Sequence, residues 1–246
     1  MNEELQWQIA SFFDYWRKRH TFIRDLDFIK YSHEANVLLW ASLDALSNLW
    51  AGNIGKGQCS STGKRIIFDA FLAGYGGDFF QLVSLPDVWN RIDQGNLQIS
   101  GTKLPHELCD FLKNIGGRCI PTALEERQIR LTSDDWSLDK IIAEALVTYP
   151  ATNCAELKEW LTFSRYGAIA YKQMRSAYIH EGRPGKSSHG FELHASGIKP
   201  TYLSSIYSTP PIIGFKIEFM LHILECCIYS FESDALALEK DPAPEQ

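Results

Sequence analysis

The stretch "CAELKEWLTFSRYGAIAYKQMRSAYIHEG" (residues 154–182) decides how the chain is read. Leu157, Trp160, Leu161, Ser164, Ala168, Tyr171, Arg175 and Tyr178 recur in steps of three and four, the period of one helix face. Gly182 and Pro184 then stop the pattern. The spacing predicts one long helix over 154–181 that ends in a basic cluster. Lys172, Arg175, Arg183 and Lys186 stand there against the single acid Glu181, with His180 among them.

The same period governs both ends of the chain. Residues 4–24 carry Leu5, Ile9, Phe12, Phe13, Trp16 and Phe22 with charges between them. The run 33–51 carries Val37, Leu38, Trp40, Ala41, Asp44, Ala45, Asn48 and Leu49 and stops at Gly52. Shorter helices are expected over 65–75 and 136–147, the second capped by Ser133 or Asp134, and a final helix over 211–232. Residues 236–246 read as a flexible tail. The middle, 76–137, holds Pro86, Pro105, Pro121 and two glycine pairs. "LPDVWNRI" and "LPHELCDFLKNIGG" open short helices on a proline, and "RQIRLTSDDW" reads as extended. Strand alternation is nearly absent. The expected fold is therefore all-α: one helical bundle across 1–246, with 76–137 as a loop-rich insertion.

With 45% hydrophobic and 22% charged residues the chain has the composition of an ordinary globular protein that buries its own core. A net charge of −6 argues against a surface that coats nucleic acid at large. It leaves room for a local basic site, because distant charge is screened within about 8 Å. Cys59, Cys109, Cys119, Cys154, Cys226 and Cys227 form no CxxC pair and read as reduced, buried thiols of a cytoplasmic protein. The opening "MNEELQWQIASFF" has acids where a signal peptide has bases. Lys216, Glu218, His222 and Glu225 interrupt the apolar run near the C-terminus, so no membrane partner is expected.

Several patterns lead nowhere. "GQCSSTGKR" has five residues rather than four between Gly57 and Gly63, and Arg65 stands where a phosphate loop needs Ser or Thr. His180, His189 and His194 lack the paired cysteines or helical spacing of a zinc site, so no metal and no cofactor is expected. His20, His33 and His106 are isolated and read as structural. "RKRH" at 17–20 reads as a solvated face that could extend an RNA groove.

Arg175 and His180 carry more. An imidazole moves a proton near neutral pH, and a guanidinium matches phosphate oxygens. Together they supply what cleavage of an RNA phosphodiester requires without a metal: proton transfer, and compensation of charge building on phosphorus oxygens. Five residues of ideal helix set the two side chains about 140° apart, so they meet one target only if the last turn loosens. A second copy of the helix from a symmetric partner would offer another pair across a shared cleft. The alternative is that both residues only cap carbonyls and hold the exit loop.

"MRSAYIHEGRPG" resembles the Arg-polar-x-x-x-His signature of HEPN domains: Arg175, the small polar Ser176, three residues, then His180. In that family the signature ends a main helix of an all-α bundle and a further helix follows. "ANVLLWASLDALSNLWAG" is similar to the long helix that precedes it. The resemblance implies a metal-independent endoribonuclease working as a homodimer with its motifs facing, leaving a 2′,3′-cyclic phosphate and a 5′-hydroxyl. Arg175 would stabilise the phosphate, His180 would do the acid–base work and Ser176 would position them. The resemblance also implies toxin–antitoxin or antiviral settings, in which an antitoxin or regulatory protein restrains the enzyme. A HEPN-like module that binds RNA, nucleotide or protein without cutting is the other expectation. Lys172, Arg183 and Lys186 are candidates for RNA backbone contacts. Tyr178 is a candidate to stack a base, although packing is its more ordinary role.

Overall fold

The computed structural model describes residues 2–58, 63–99, 101–117, 127–190, 199–205 and 208–243. Cys59, Cys119, Pro121, Glu192, His194 and the last three residues lie outside them, so expectations placed there are not carried further.

Four helices frame a core. Helix α1 (Glu3–Arg24) starts on Asn2, whose side chain accepts from the Leu5 N–H at 2.7 Å, and has two glutamates in its first turn. Its buried face is Ile9, Phe13, Trp16, His20 and Ile23, steps of three and four. Helix α2 (Phe28–Gly52) starts on Asp27, kinks at Tyr31 and buries Leu39, Trp40, Leu43, Leu46 and Trp50. Helix α3 (Lys64–Tyr75) follows. The chain's last helix, numbered α10 below (Ile217–Ala237), packs on α1, α2 and α3. Phe231 meets Phe12, Phe13 and Phe71 edge to face, an arrangement that adds roughly 0.5–1.5 kcal/mol per pair to plain burial. A hydrogen-bond chain ties three helices together: Trp50 Nε1 donates to the Tyr75 hydroxyl at 3.1 Å, which donates to Asp234 at 2.6 Å.

The centre of the chain builds a second apolar cluster. Helices α4 (Leu85–Asp93), α5 (His106–Asn114), α6 (Leu138–Thr148) and α7 (Cys154–Thr162) bring Leu85, Val88, Trp89, Leu108, Leu112, Ile141, Leu157 and Trp160 together. Prolines stand at the openings of α4 and α5 as expected. Ser137, not Ser133 or Asp134, caps α6 by accepting from the Lys140 N–H at 3.2 Å. Of the described cysteines, Cys109 and Cys227 are buried and all four are free, while Cys154 is exposed at the start of α7.

The fold is mostly helical and also holds small sheets. β1 (Leu82–Val83) pairs with β5 (Trp136–Ser137), and β2 (Gln98–Ile99) with β3 (Thr102–Lys103), all antiparallel. The largest sheet is antiparallel, in the order β4 (Arg127–Leu131), β6 (Thr201–Ser205), β7 (Ser208–Gly214). The extended reading of 127–131 holds. Residues 211–214 are strand rather than the start of the final helix, which begins six residues later than expected. Pro210 and Pro211 mask this strand in the sequence. β7 lies at the sheet edge, and its register against β6 shifts between Leu203 and Ser205, in the stretch that holds both prolines. The N–H that one of them lacks therefore falls where the regular ladder is already interrupted.

The expected helix over 154–181 is not continuous. After α7 the backbone leaves helical geometry at Arg165, then resumes as α8 (Tyr166–Ala170), a π-helical turn (Tyr171–Arg175) and α9 (Ser176–Glu181). The break is made by tertiary contacts that no local period reports. Asp69 on α3 accepts from the Ala168 N–H at 3.1 Å, standing in for a cap, and from Arg165 Nε at 2.9 Å. Gly167 is required there, since a Cβ would fall 2.7 Å from the Asp69 carboxylate and 2.9 Å from its Cα. Among the described residues no helix is long and apolar enough to cross a membrane.

Candidate active site at the end of the interrupted helix

Arg175 and His180 stand at the two ends of one short segment with different surroundings. Arg175 closes the π-helical turn and α9 carries the chain to His180 and Glu181 in regular α geometry. The loosened turn therefore precedes Arg175 instead of lying between the two residues. The angular offset expected of five helical residues is kept. Arg175 turns toward α2 and donates from Nη2 to Asp44 at 2.6 Å, with the two side chains 13% and 16% exposed. Its guanidinium also lies 5.1 Å from the Tyr171 ring centre, and its Nε is buried without a hydrogen-bond partner. His180 is exposed, and its side chain makes no hydrogen bond or ion pair with a described residue.

The exit from α9 is built to stop the helix just past His180. Gly182 adopts φ +69°, the left-handed region open to glycine, and its N–H bonds the Tyr178 carbonyl at 3.2 Å. The loop then folds back on the π-helical turn. Gly185 N–H reaches the Gln173 carbonyl at 2.6 Å, and Ser187 N–H reaches the Gln173 side chain at 3.3 Å. His33, at the start of α2, lies against this exit: a Cβ on Gly182 would come within 3.3 Å of its ring. The same ring stands 6.1 Å from Tyr178.

The remaining candidates divide. Ser176 starts α9 directly after Arg175, and Arg183 is exposed beside Glu181 at 3.7 Å. Lys186 is exposed on the exit loop. Tyr178 is half-buried against the bundle core, and burial pushes its hydroxyl pKa up, the signature of a packed ring. Lys172 leaves the group. It lines a cavity of about 370 Å³ with Arg65 and Arg91, whose wall includes neither Arg175 nor His180. His189 is buried at the sheet, with its Nε2 3.2 Å from the Thr201 carbonyl. Among the described residues no three His, Cys, Asp or Glu side chains gather as metal ligands would.

Two neighbours escaped the sequence reading. Asp44 did carry a signal, as a carboxylate set among Trp40, Leu43 and Ser47 on a face that is otherwise buried. His33 carried none, because only the fold brings α2's first turns to the end of α9.

Compared with protein-family models, with curated proteins and with solved structures, the chain gives no match.

Proposed function

We propose that the chain is a HEPN-like, metal-independent endoribonuclease in which Arg175 and His180 act on a phosphodiester. The observation that carries this reading is the contrast within one segment: a guanidinium pinned by Asp44 beside an imidazole left open at a helix end. Pinning one edge of Arg175 fixes the orientation of the whole planar fork, and a fixed donor is worth most where charge develops during reaction. An exposed imidazole near neutral pH can take the 2′-hydroxyl proton or return one to the departing 5′-oxygen. The 2′-oxygen attacks phosphorus, the P–O5′ bond breaks, and the products are a 2′,3′-cyclic phosphate and a 5′-hydroxyl. Ser176 orients the pair, while Arg183 and Lys186 contact the RNA backbone.

One imidazole cannot stand on both sides of the phosphorus at once, so the reading includes a homodimer whose second His180 serves the opposite oxygen. The surface near the motif suits such a contact. Ile29 is 96% exposed, Tyr31 is exposed beside it, and Ile179 next to His180 is also exposed. Control by a restraining partner protein in a toxin–antitoxin or defence setting belongs to the same reading.

The test is cleavage of a mixed single-stranded RNA pool by purified protein in EDTA, with His180→Ala alongside. The variant's melting temperature and dimer mass should match those of the wild type. Cutting by the wild type alone supports the assignment. A folded, dimeric wild type that binds RNA without cutting moves the chain to a non-catalytic RNA-binding module.

A further inference from the structure

Among the described residues, Arg65, Arg91, Arg130, Arg165 and Arg175 are buried or half-buried and fall into two kinds. Arg130, Arg165 and Arg175 each reach a carboxylate, Asp135, Asp69 and Asp44 respectively. Arg65 and Arg91 do not. Arg65 donates from Nε to the Ala168 carbonyl at 2.9 Å and from Nη2 to the Phe163 carbonyl at 2.7 Å. Arg91, 7% exposed, donates from Nη1 to the Trp160 carbonyl at 3.1 Å and the Ser164 hydroxyl at 2.6 Å. Its Nε and Nη2 are buried with no partner, and its guanidinium carbon lies 3.6 Å from the Trp160 ring centre. Both arginines and Lys172 line the same cavity of about 370 Å³.

The charge there does not balance. Among the described residues that line it, three cations stand with one carboxylate, Asp87, which already accepts from the Ser164 hydroxyl at 2.6 Å. Burial pulls the Arg91 pKa down to about 10, with Asp87 opposing that and Arg65 adding to it, as expected of two guanidiniums sharing a partly dry wall. Burying an unpaired cation costs several kcal/mol, and Arg65, Arg91 and Lys172 together give this cavity an excess of positive charge that an anion would offset. Flat guanidiniums match phosphate oxygens, and lysine adds a mobile ammonium. Neutral amides complete the wall: Asn90 and Gln94 from one face of α4, and Gln173 from the π-helical turn. Such groups read hydroxyls and ring nitrogens, and the cavity volume lies within the range of small-molecule sites.

We propose that this cavity binds a phosphomonoester of a small polar molecule, its phosphate held by Arg65, Arg91 and Lys172 and its polar body by the amides of α4 and Gln173. The site is distinct from the Arg175–His180 pair, and nothing in the proposal depends on RNA cleavage.

Calorimetry and thermal melting of the full chain test it, with ribose 5-phosphate, AMP and inorganic phosphate as probes and ribose and adenosine as phosphate-free controls. At least one ester should bind with Kd below about 1 mM, raise the melting temperature and weaken with salt, while its phosphate-free counterpart does neither. Lys172 is exposed, so Lys172→Glu should fold normally and lose about tenfold or more in ester affinity. The proposal is overturned if no ester binds, if inorganic phosphate binds as tightly as the esters, or if Lys172→Glu binds as well as wild type. Single-stranded RNA is the last arm, and displacement of the bound ester by RNA but not by its 2′-O-methylated mononucleotides would overturn the small-molecule assignment.

Discussion

Arg175 reaches Asp44 at 2.6 Å across 131 residues of chain, joining the end of the π-helical turn to the middle of α2. The pair is mostly buried, so removing either charge leaves the other without compensation. Asp44→Asn should lower stability by about 1–3 kcal/mol, and the Arg175→Ala/Asp44→Ala double variant should cost less than the two single changes added together. Denaturant unfolding of the four proteins measures this coupling. Simple additivity would show that the contact holds nothing.

Asp44 should also matter to cleavage as a positioning residue. Asp44→Asn is expected to lower kcat on RNA about tenfold or more with a smaller change in KM, because a loosened guanidinium is lost to the transition state rather than to binding. A proportional rise in KM with kcat intact would place Arg175 in ground-state binding instead.

Gly167 allows α8 to start against Asp69. A methyl group there meets the carboxylate at 2.7 Å and the Asp69 Cα at 2.9 Å, and backbone cannot give way cheaply. Gly167→Ala should destabilise by about 2–4 kcal/mol, read as a fall in the denaturant midpoint.

Gly182→Ala strains a left-handed backbone by roughly 1–2 kcal/mol and presses on His33 at 3.3 Å. The strain is local to the residues that follow His180. Activity should therefore fall by more than the modest loss in melting temperature explains. Unchanged activity in a measurably destabilised variant would separate the exit turn from the site.

Asp69 and Asp135 titrate unusually. Burial raises both carboxyls from 3.8 to about 6, against the pull of Arg165 on Asp69 and of Tyr166 and Arg130 on Asp135. Between those values the folded chain keeps protons that the unfolded chain releases. Their contribution to stability is therefore complete below about pH 4 and is lost as pH rises through about 6. It amounts to on the order of 3 kcal/mol per group at about 1.4 kcal/mol per pH unit. Carboxyl NMR should show both midpoints near 6, whereas midpoints below 4 would mean that their partners outweigh desolvation.

The long helices were legible because each carries its own instructions. Their buried residues follow in steps of three and four, which marked 4–24 and 33–51, while the caps Asn2 and Asp27 went unread and α2 starts five residues before the expected 33. The interruption of 154–181 was not legible, because it is enforced by Asp69, some hundred residues earlier, acting on Arg165 and the Ala168 N–H. The β4–β6–β7 sheet was hidden for a related reason. β4 is some seventy residues before its partner β6, and the edge strand β7 carries two prolines. At the site, the Arg175–His180 segment could be located from its basic cluster and glycine stop. Asp44 stood out only as a carboxylate on a buried face, and its pairing with Arg175, the place of His33 and the separation of Lys172 into another cavity follow from packing.

The most direct measurement of the Arg175–His180 account compares one cleaved RNA with its fully 2′-O-methylated copy, both in EDTA. The account predicts that the unmodified strand is cut to 2′,3′-cyclic phosphate and 5′-hydroxyl ends, and that the methylated copy stays bound and intact. Cutting of the methylated strand, or 5′-phosphate ends on the normal one, would contradict attack by the 2′-hydroxyl and with it the role given to His180.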